Sequence, residues 1–379
     1  MSANPLHQLK EHGQSVWLDN LARPLITSGE LQRLIRDDGI TGVTSNPAIF
    51  KNAMTGSDAY DAQIETLVNA GCSTEEIYEA LAIQDVQDAA ELLYPVYQKS
   101  QGEDGFVSLE VSPHLARDTQ GTVDDALRLW KAVDRPNIFI KIPGTDEGIP
   151  AVQTCLAQGV NINITLLFSL SVYKQVIEAF IRAMHSRQQR GKPLDTVASV
   201  ASFFLSRIDV KVDRALDTMI ESGDHPREAA ALKGKTAIAS AQLAYQIWNE
   251  TVASPRWQSL EENGARVQKL LWASTSTKNP DYSDVMYVEP LIGRQTINTM
   301  PGQTIDAFRD HGRVGATLEE GADGARRIQK RLEGVGINLD QVTRELVDEG
   351  IQKFVQPFTE LMDALEKKRA ALTARRSSL

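Results

Sequence analysis

The chain has 379 residues, 42% hydrophobic and 24% charged, the balance of a globular protein with a large core rather than of a disordered or fibrous one. Its formal net charge of -10 speaks against non-specific attraction to nucleic acid and leaves room for a locally positive pocket for a small anion. Cys72 and Cys155 are too few for a disulfide framework and have no zinc-ligand pattern beside them, which fits a reducing cytoplasm.

In chain order, the opening Met1-Ser2-Ala3-Asn4-Pro5-Leu6 lacks the apolar core of a signal peptide, and no later run approaches the length that crosses a bilayer. Short apolar runs then alternate with longer amphipathic stretches, the pattern of a parallel sheet with helical crossovers. Eight runs read as strands: Ser15 to Asn20, Gly42 to Asn46, Phe106 to Val111, Asn137 to Ile142, Val160 to Leu166, Val197 to Phe203, Lys269 to Ser274 and Gln295 to Thr299. Between them, Gly121 to Val133, Ser171 to Arg190 and Pro226 to Asn249 carry apolar residues at helical spacing. Eight such units predict one α/β domain over residues 1–379, a (β/α)8 TIM barrel. Two stretches exceed the minimal plan: a helical insertion at about 51–104 and a C-terminal helical extension at about 339–376. The extension contains Leu346, Ile351, Phe354, Val355, Phe358, Leu361 and Leu365, spaced for a packed terminal helix, and its basic, then polar end from Lys367 to Leu379 is expected to fray.

Within the fourth run, Asn137-Ile138-Phe139-Ile140-Lys141-Ile142-Pro143-Gly144, one residue is out of character. Burial disfavours the charged form of a lysine and lowers its pKa, so an amine held there can attack a carbonyl and form a Schiff base. Lysines at strand ends also snorkel into solvent or pair with a carboxylate, and Lys141 alone does not separate these readings. The other strand ends add weight, because a barrel of this kind carries its chemistry there. They supply Asp19, Asn46, Glu110, Asn163, Thr165, Ser202 and Ser274. Each by itself is an ordinary strand-end or cap residue.

The motifs Trp17-Leu18-Asp19, Thr44-Ser45-Asn46-Pro47, Ser108-Leu109-Glu110-Val111-Ser112, Ile140-Lys141-Ile142-Pro143, Asn161-Ile162-Asn163-Ile164-Thr165-Leu166-Leu167-Phe168-Ser169, Ser202-Phe203-Phe204 with Ser206-Arg207, Trp272-Ala273-Ser274-Thr275 and Asn298-Thr299-Met300-Pro301 run from the first strand to the eighth. In that order they resemble transaldolase, most of all its longer bacterial form. The resemblance implies transfer of a dihydroxyacetone unit between a ketose phosphate and an aldose phosphate in the pentose phosphate pathway. It implies no metal and no organic cofactor, sugar phosphates as partners, neither nucleic acid nor membrane, and a cytoplasmic monomer or homodimer.

By the same resemblance Lys141 forms the imine, Asp19 is the acid/base at the C4 hydroxyl, and Glu110 and Thr165 hold a proton-shuttling water. Asn46, Asn163 and Ser202 bind the hydroxyls of the dihydroxyacetone unit, and Phe204 places an aromatic ring near the imine or simply packs the core. Arg207 and Ser274 bind phosphate. Where shorter relatives follow that serine closely with an arginine, this chain reads Ser274-Thr275-Ser276-Thr277-Lys278, so Lys278 either supplies the missing cation or is solvated.

A metal-dependent aldolase would need converging imidazoles or carboxylates, whereas His7, His12, His114, His185, His225 and His311 are scattered. A simple aldolase acting on fructose 6-phosphate through the same lysine is the closer competitor. A non-catalytic barrel could dispense with Lys141 or Asp19, and both are present. No Walker pattern or dinucleotide fingerprint follows a strand, which sets ATP and NAD chemistry aside.

Overall fold

A computed structural model of the chain describes residues 4–377. The strands are β1 (Gln14–Leu18), β2 (Gly42–Val43), β3 (Phe106–Glu110), β4 (Ile138–Pro143), β5 (Ile162–Leu167), β6 (Ser199–Phe204), β7 (Lys269–Ala273) and β8 (Thr296–Met300). All pair in parallel and in sequence order, and β1 also pairs with β8, so the sheet closes into an eight-stranded barrel surrounded by helices. Each strand lies close to where the apolar runs place it. The largest shortening is β2, because Asn46 leaves the strand to cap the helix Pro47–Thr55, its Oδ1 accepting the Ile49 N–H at 3.0 Å.

Both faces of the central strands are buried, and Ile138–Pro143 is buried throughout, as expected of a parallel sheet covered by helices outside and filled with side chains inside. The two-residue period of a strand sets Trp17 below Asp19, Phe106 and Ser108 below Glu110, and Phe139 below Lys141. The rings meet as a floor: Phe106 and Phe139 have centroids 4.4 Å apart, and Trp17 lies 6.0 Å from Phe139. Gly42 is required by this packing, since a Cβ there would stand 2.4 Å from the Trp17 ring.

Pro226 to Asn249 is not one helix but two, Pro226–Leu232 and Thr236–Val252. The break has a cause in the helix Ser206–Ser222, whose carboxylates take the backbone donors at the joint. Asp213 Oδ1 accepts the Gly234 N–H at 2.9 Å, Asp209 Oδ1 accepts the Ala237 N–H at 2.8 Å, and Gly234 has a φ of +67° that favours glycine.

The insertion contains Pro47–Thr55, Asp61–Asn69 and the long Thr74–Lys99, which starts at a Ser73/Glu76 capping box. These helices support the terminal helix Leu339–Ser377, which also lies along Ser206–Ser222 and reaches the end of β5. The stretch from Lys367 to Ser377, expected to fray, is helical. Glu366 pairs with Arg369 and meets Thr74, Lys368 pairs with Asp61, and the helix continues to Ser377; Ser378 and Leu379 lie outside the described residues. Further ion pairs join it to the barrel: Lys211 to Glu345 and Glu349 at 2.8 and 2.6 Å, Arg117 to Asp348 at 2.5 Å, and Lys51 to Glu360. Among the described residues no helix is long and apolar enough to cross a membrane.

Candidate active site

The carboxyl ends of the strands surround a cavity of about 1260 Å³. Asp19, Asn46, Lys141, Thr165, Ser202, Phe204, Arg207, Ser274 and Lys278 are on its wall, so nine of the residues singled out from the sequence converge there. Glu110 and Asn163 stand beside it.

Lys141 is 5% exposed, yet its surroundings are not purely apolar. Glu110 occupies the paired register position on β3, and its Oε1 is 2.5 Å from Lys141 Nζ; the ammonium also donates to the Ser45 carbonyl at 2.9 Å. Burial pushes the Glu110 carboxyl above its ordinary range, and Lys141 opposes that rise. Glu110, Lys141 and Thr165 also border a chamber of about 20 Å³, room for roughly one water. The buried Thr165 Oγ1 has no hydrogen-bond partner among the described residues.

Asp19 follows β1, its backbone N–H bonded to the Met300 carbonyl at 2.8 Å. Thr44 Oγ1 donates to Asp19 Oδ1 at 2.7 Å and meets Thr299 Oγ1 at 2.7 Å, which fixes the carboxyl from below. Burial raises its pKa, against the pull of that hydrogen bond and of Lys141, Arg207 and Lys278. Two carboxyls held above their ordinary range beside a buried amine are the kind of arrangement that can exchange protons.

Asn163 is fully buried and does not line the cavity. Its Nδ2 donates to Ser108 Oγ at 3.1 Å and its Oδ1 accepts from Ser202 Oγ at 2.6 Å, so both ends of the amide are engaged in holding Ser202 at the wall. Asn46 lines the cavity with its Oδ1 already committed to the helix cap.

Arg207 opens the helix Ser206–Ser222 and lies over the Phe204 ring, 5.1 Å from its centroid. Its Nη1 is buried without a hydrogen-bond partner among the described residues. Burial lowers its pKa, while Asp19, Glu110 and Glu349 act in the opposite sense. Ser274 has a φ of 55°, its Oγ is 2.8 Å from Ser206 Oγ and its carbonyl accepts the Ser206 N–H at 3.0 Å, so the β7 turn is tied to the start of the Arg207 helix. Lys278 is on the same wall with Nζ 2.5 Å from Ser276 Oγ; burial and neighbouring Arg207 lower its pKa, and Lys353 adds to the repulsion. Arg207, Lys278 and Lys353 share one cavity, and cations with a free guanidinium donor such as Arg207 Nη1 are suited to an anion.

Four participants were not singled out by sequence reasoning. Thr44 and Ser108 appear in its motifs without a role. Phe354 and Lys353 come from the terminal helix, where Phe354 reads as one apolar residue among several; its ring is 6.0 Å from Lys141 Nζ. Among the described residues no three His, Cys, Asp or Glu side chains converge as metal ligands.

A family profile described as Transaldolase/Fructose-6-phosphate aldolase matches residues 16–365, which includes every strand but the start of β1. The chain is 49% identical over 374 residues to Transaldolase 2 of Nostoc sp. (strain PCC 7120 / SAG 25.82 / UTEX 2576), covering 97% of this chain and 98% of that protein. It is 46% identical over 378 residues to the Transaldolase of Trichodesmium erythraeum (strain IMS101), covering 98% and 100%. The Transaldolase of Thermobifida fusca (strain YX) is 46% identical over 371 residues, again covering 98% and 100%. Barrel, strand-end residues and full-length similarity agree: the chain belongs to the transaldolase/fructose-6-phosphate aldolase family.

Proposed function

We propose that this protein is a transaldolase that moves a dihydroxyacetone unit from sedoheptulose 7-phosphate or fructose 6-phosphate to glyceraldehyde 3-phosphate or erythrose 4-phosphate, through an imine on Lys141. The observation that carries this reading is the placement of a buried, carboxylate-paired lysine in one cavity with Asp19 and with Arg207, whose Nη1 has no hydrogen-bond partner among the described residues.

Proton transfer from Lys141 to Glu110 across their 2.5 Å contact frees the amine to attack the ketose C2 carbonyl. A water in the chamber beside Thr165 then relays protons as the carbinolamine loses its hydroxyl. Asp19 accepts the C4 hydroxyl proton as the C3–C4 bond breaks, and the protonated imine takes up the electron pair. Ser202, held by Asn163, and Asn46 bind the hydroxyls of the retained three-carbon unit. Arg207, Ser274 and Lys278 hold the phosphate. An aldose phosphate enters the same cavity, Asp19 returns the proton in the new C–C bond-forming step, and the chamber water releases the product ketose. Both substrates are phosphorylated, which suits one anion receptor used twice. The two unbridged cysteines, Cys72 and Cys155, fit a reducing, cytoplasmic compartment, and a monomer or homodimer goes with the family reading.

Borohydride reduction in the presence of fructose 6-phosphate, followed by peptide mass analysis, tests the assignment. A three-carbon adduct on the Lys141 peptide is expected. An adduct on a different lysine overturns it, and an equal rate of fructose 6-phosphate consumption with and without an aldose acceptor would identify a simple aldolase instead.

A further inference from the structure

We infer that Phe354 of the terminal helix is a specificity-determining residue that keeps the lysine-bound three-carbon intermediate for an aldose acceptor and away from water. The inference rests on the imine reading above.

Phe354 is 8% exposed and borders both the large cavity and the chamber at Glu110 and Thr165. Its ring centroid is 6.0 Å from Lys141 Nζ, close to where a carbon bound to that nitrogen has to lie. Ile351, one turn earlier, borders the chamber as well. Gly350 stands where the helix meets Leu166 and Arg207. A Cβ there would stand 2.9 Å from Leu166 Cδ2 and 3.6 Å from Arg207 Nη1, and glycine inside a helix is less favourable than alanine. An otherwise unfavourable residue thus sits where the helix rests on the end of β5.

Once the C3–C4 bond has broken and the first aldose has left, the intermediate on Lys141 is an enamine. Two routes consume it. In transfer, its C3 attacks the aldehyde carbon of the incoming aldose, whose oxygen takes a proton. In release, C3 takes a proton from solvent, water adds to the resulting iminium at C2, the C–N bond breaks, and free dihydroxyacetone leaves with Lys141 restored as the amine. Protonation of C3 draws on bulk water, whereas hydrolysis at C2 uses the chamber water in both routes, so an apolar ring that keeps solvent from C3 suppresses release more than transfer within the cavity.

The test is the partition ratio: dihydroxyacetone released against ketose phosphate formed, with fructose 6-phosphate as donor and erythrose 4-phosphate as acceptor. Phe354→Ala should raise the released share roughly tenfold, while borohydride still labels Lys141. Phe354→Leu keeps most of the apolar volume, so it folds if the alanine variant does not, and should raise the share severalfold less. Phe358→Ala, which removes a ring one turn further along the same helix where it packs on Tyr78 and His114, controls for loosening of the helix and should leave the partition at the wild-type ratio. A folded Phe354 variant that traps substrate on Lys141 with an unchanged partition overturns the inference, as does an equal shift in Phe358→Ala. Failure of the wild-type protein to label Lys141 would instead remove the imine reading beneath it.

Discussion

Glu110 and Lys141 stand opposite each other in the register of β3 and β4 and touch at 2.5 Å, both inside the barrel. Removing one partner of a buried pair leaves the other without compensation, at a cost of about 3–5 kcal/mol. Lys141→Ala should therefore abolish transfer and trapping and also destabilise the fold. Without its counter-ion Glu110 binds a proton more readily folded than unfolded, so the stability gap between variant and wild type should widen as pH rises above the ordinary glutamate range. Denaturant midpoints across pH would show this; a gap independent of pH means the pair carries no net charge coupling.

Asp19→Ala separates two steps. The nucleophile remains, and nothing in imine formation needs a base at the C4 hydroxyl, so borohydride should still trap substrate. Turnover should fall by about a hundred- to ten-thousandfold, the range for losing a positioned general base. Because burial lifts the Asp19 pKa, wild-type turnover should decline on the acid side at a pH above that of an ordinary aspartate. Folded Asp19→Ala with near-normal transfer would make this residue a mere partner of Thr44.

Arg207→Ala should raise KM for phosphorylated sugars by a factor of about ten to several hundred, since a charge-assisted pair contributes roughly 1.5–3 kcal/mol. Lys278→Ala should weaken the same substrates less, as a point cation without a planar fork. Equal loss for phosphorylated and unphosphorylated donors would mean that Arg207 serves only to pack on Phe204.

Asp209 offers a test of the scaffold under the phosphate end. It takes the Ala237 N–H and the Tyr287 hydroxyl, at 2.8 and 2.9 Å, yet burial pushes its pKa up to about 7. The folded state then holds a proton that the unfolded state gives up from 3.8 onward, so this group lowers stability as pH rises from near 4 to about 7. Asp209→Asn, which mimics the neutral acid, should flatten that slope. An unchanged slope would place the titration elsewhere, beginning with Asp213 one turn on.

Most of the barrel was legible because its strands are short, apolar and bounded by proline, glycine or caps, and the strand-end positions followed from the fold. Lys141 could be picked out as a charge in a run that excludes charge. Its partner was not legible as a partner, because register across β3 and β4 is a property of the closed sheet and no local pattern encodes it. The break at Lys233-Gly234-Lys235 escaped for a similar reason: it depends on Asp209 and Asp213 reaching across from another helix. Asn163 shows the limit of residue type, since nothing in the sequence encodes the bonds that tie this amide to Ser108 and Ser202 beside the cavity. Phe354 is the hardest case, an apolar residue at helical spacing whose position over Lys141 depends on where a distant helix crosses the barrel.

That crossing also sets when in the life of a molecule the chemistry can begin. A ribosome makes Asp19 almost at the outset, Lys141 before the midpoint, the closing strand β8 late and Phe354 later still, at about 5–20 residues per second. β1 waits for β8 before the sheet can close, and the cover over the lysine waits for the helix beyond it. Contacts between such remote positions form slowly. A nascent chain therefore carries Lys141 for many seconds before the cavity around it is complete, and the enclosed site arrives as one late event of synthesis.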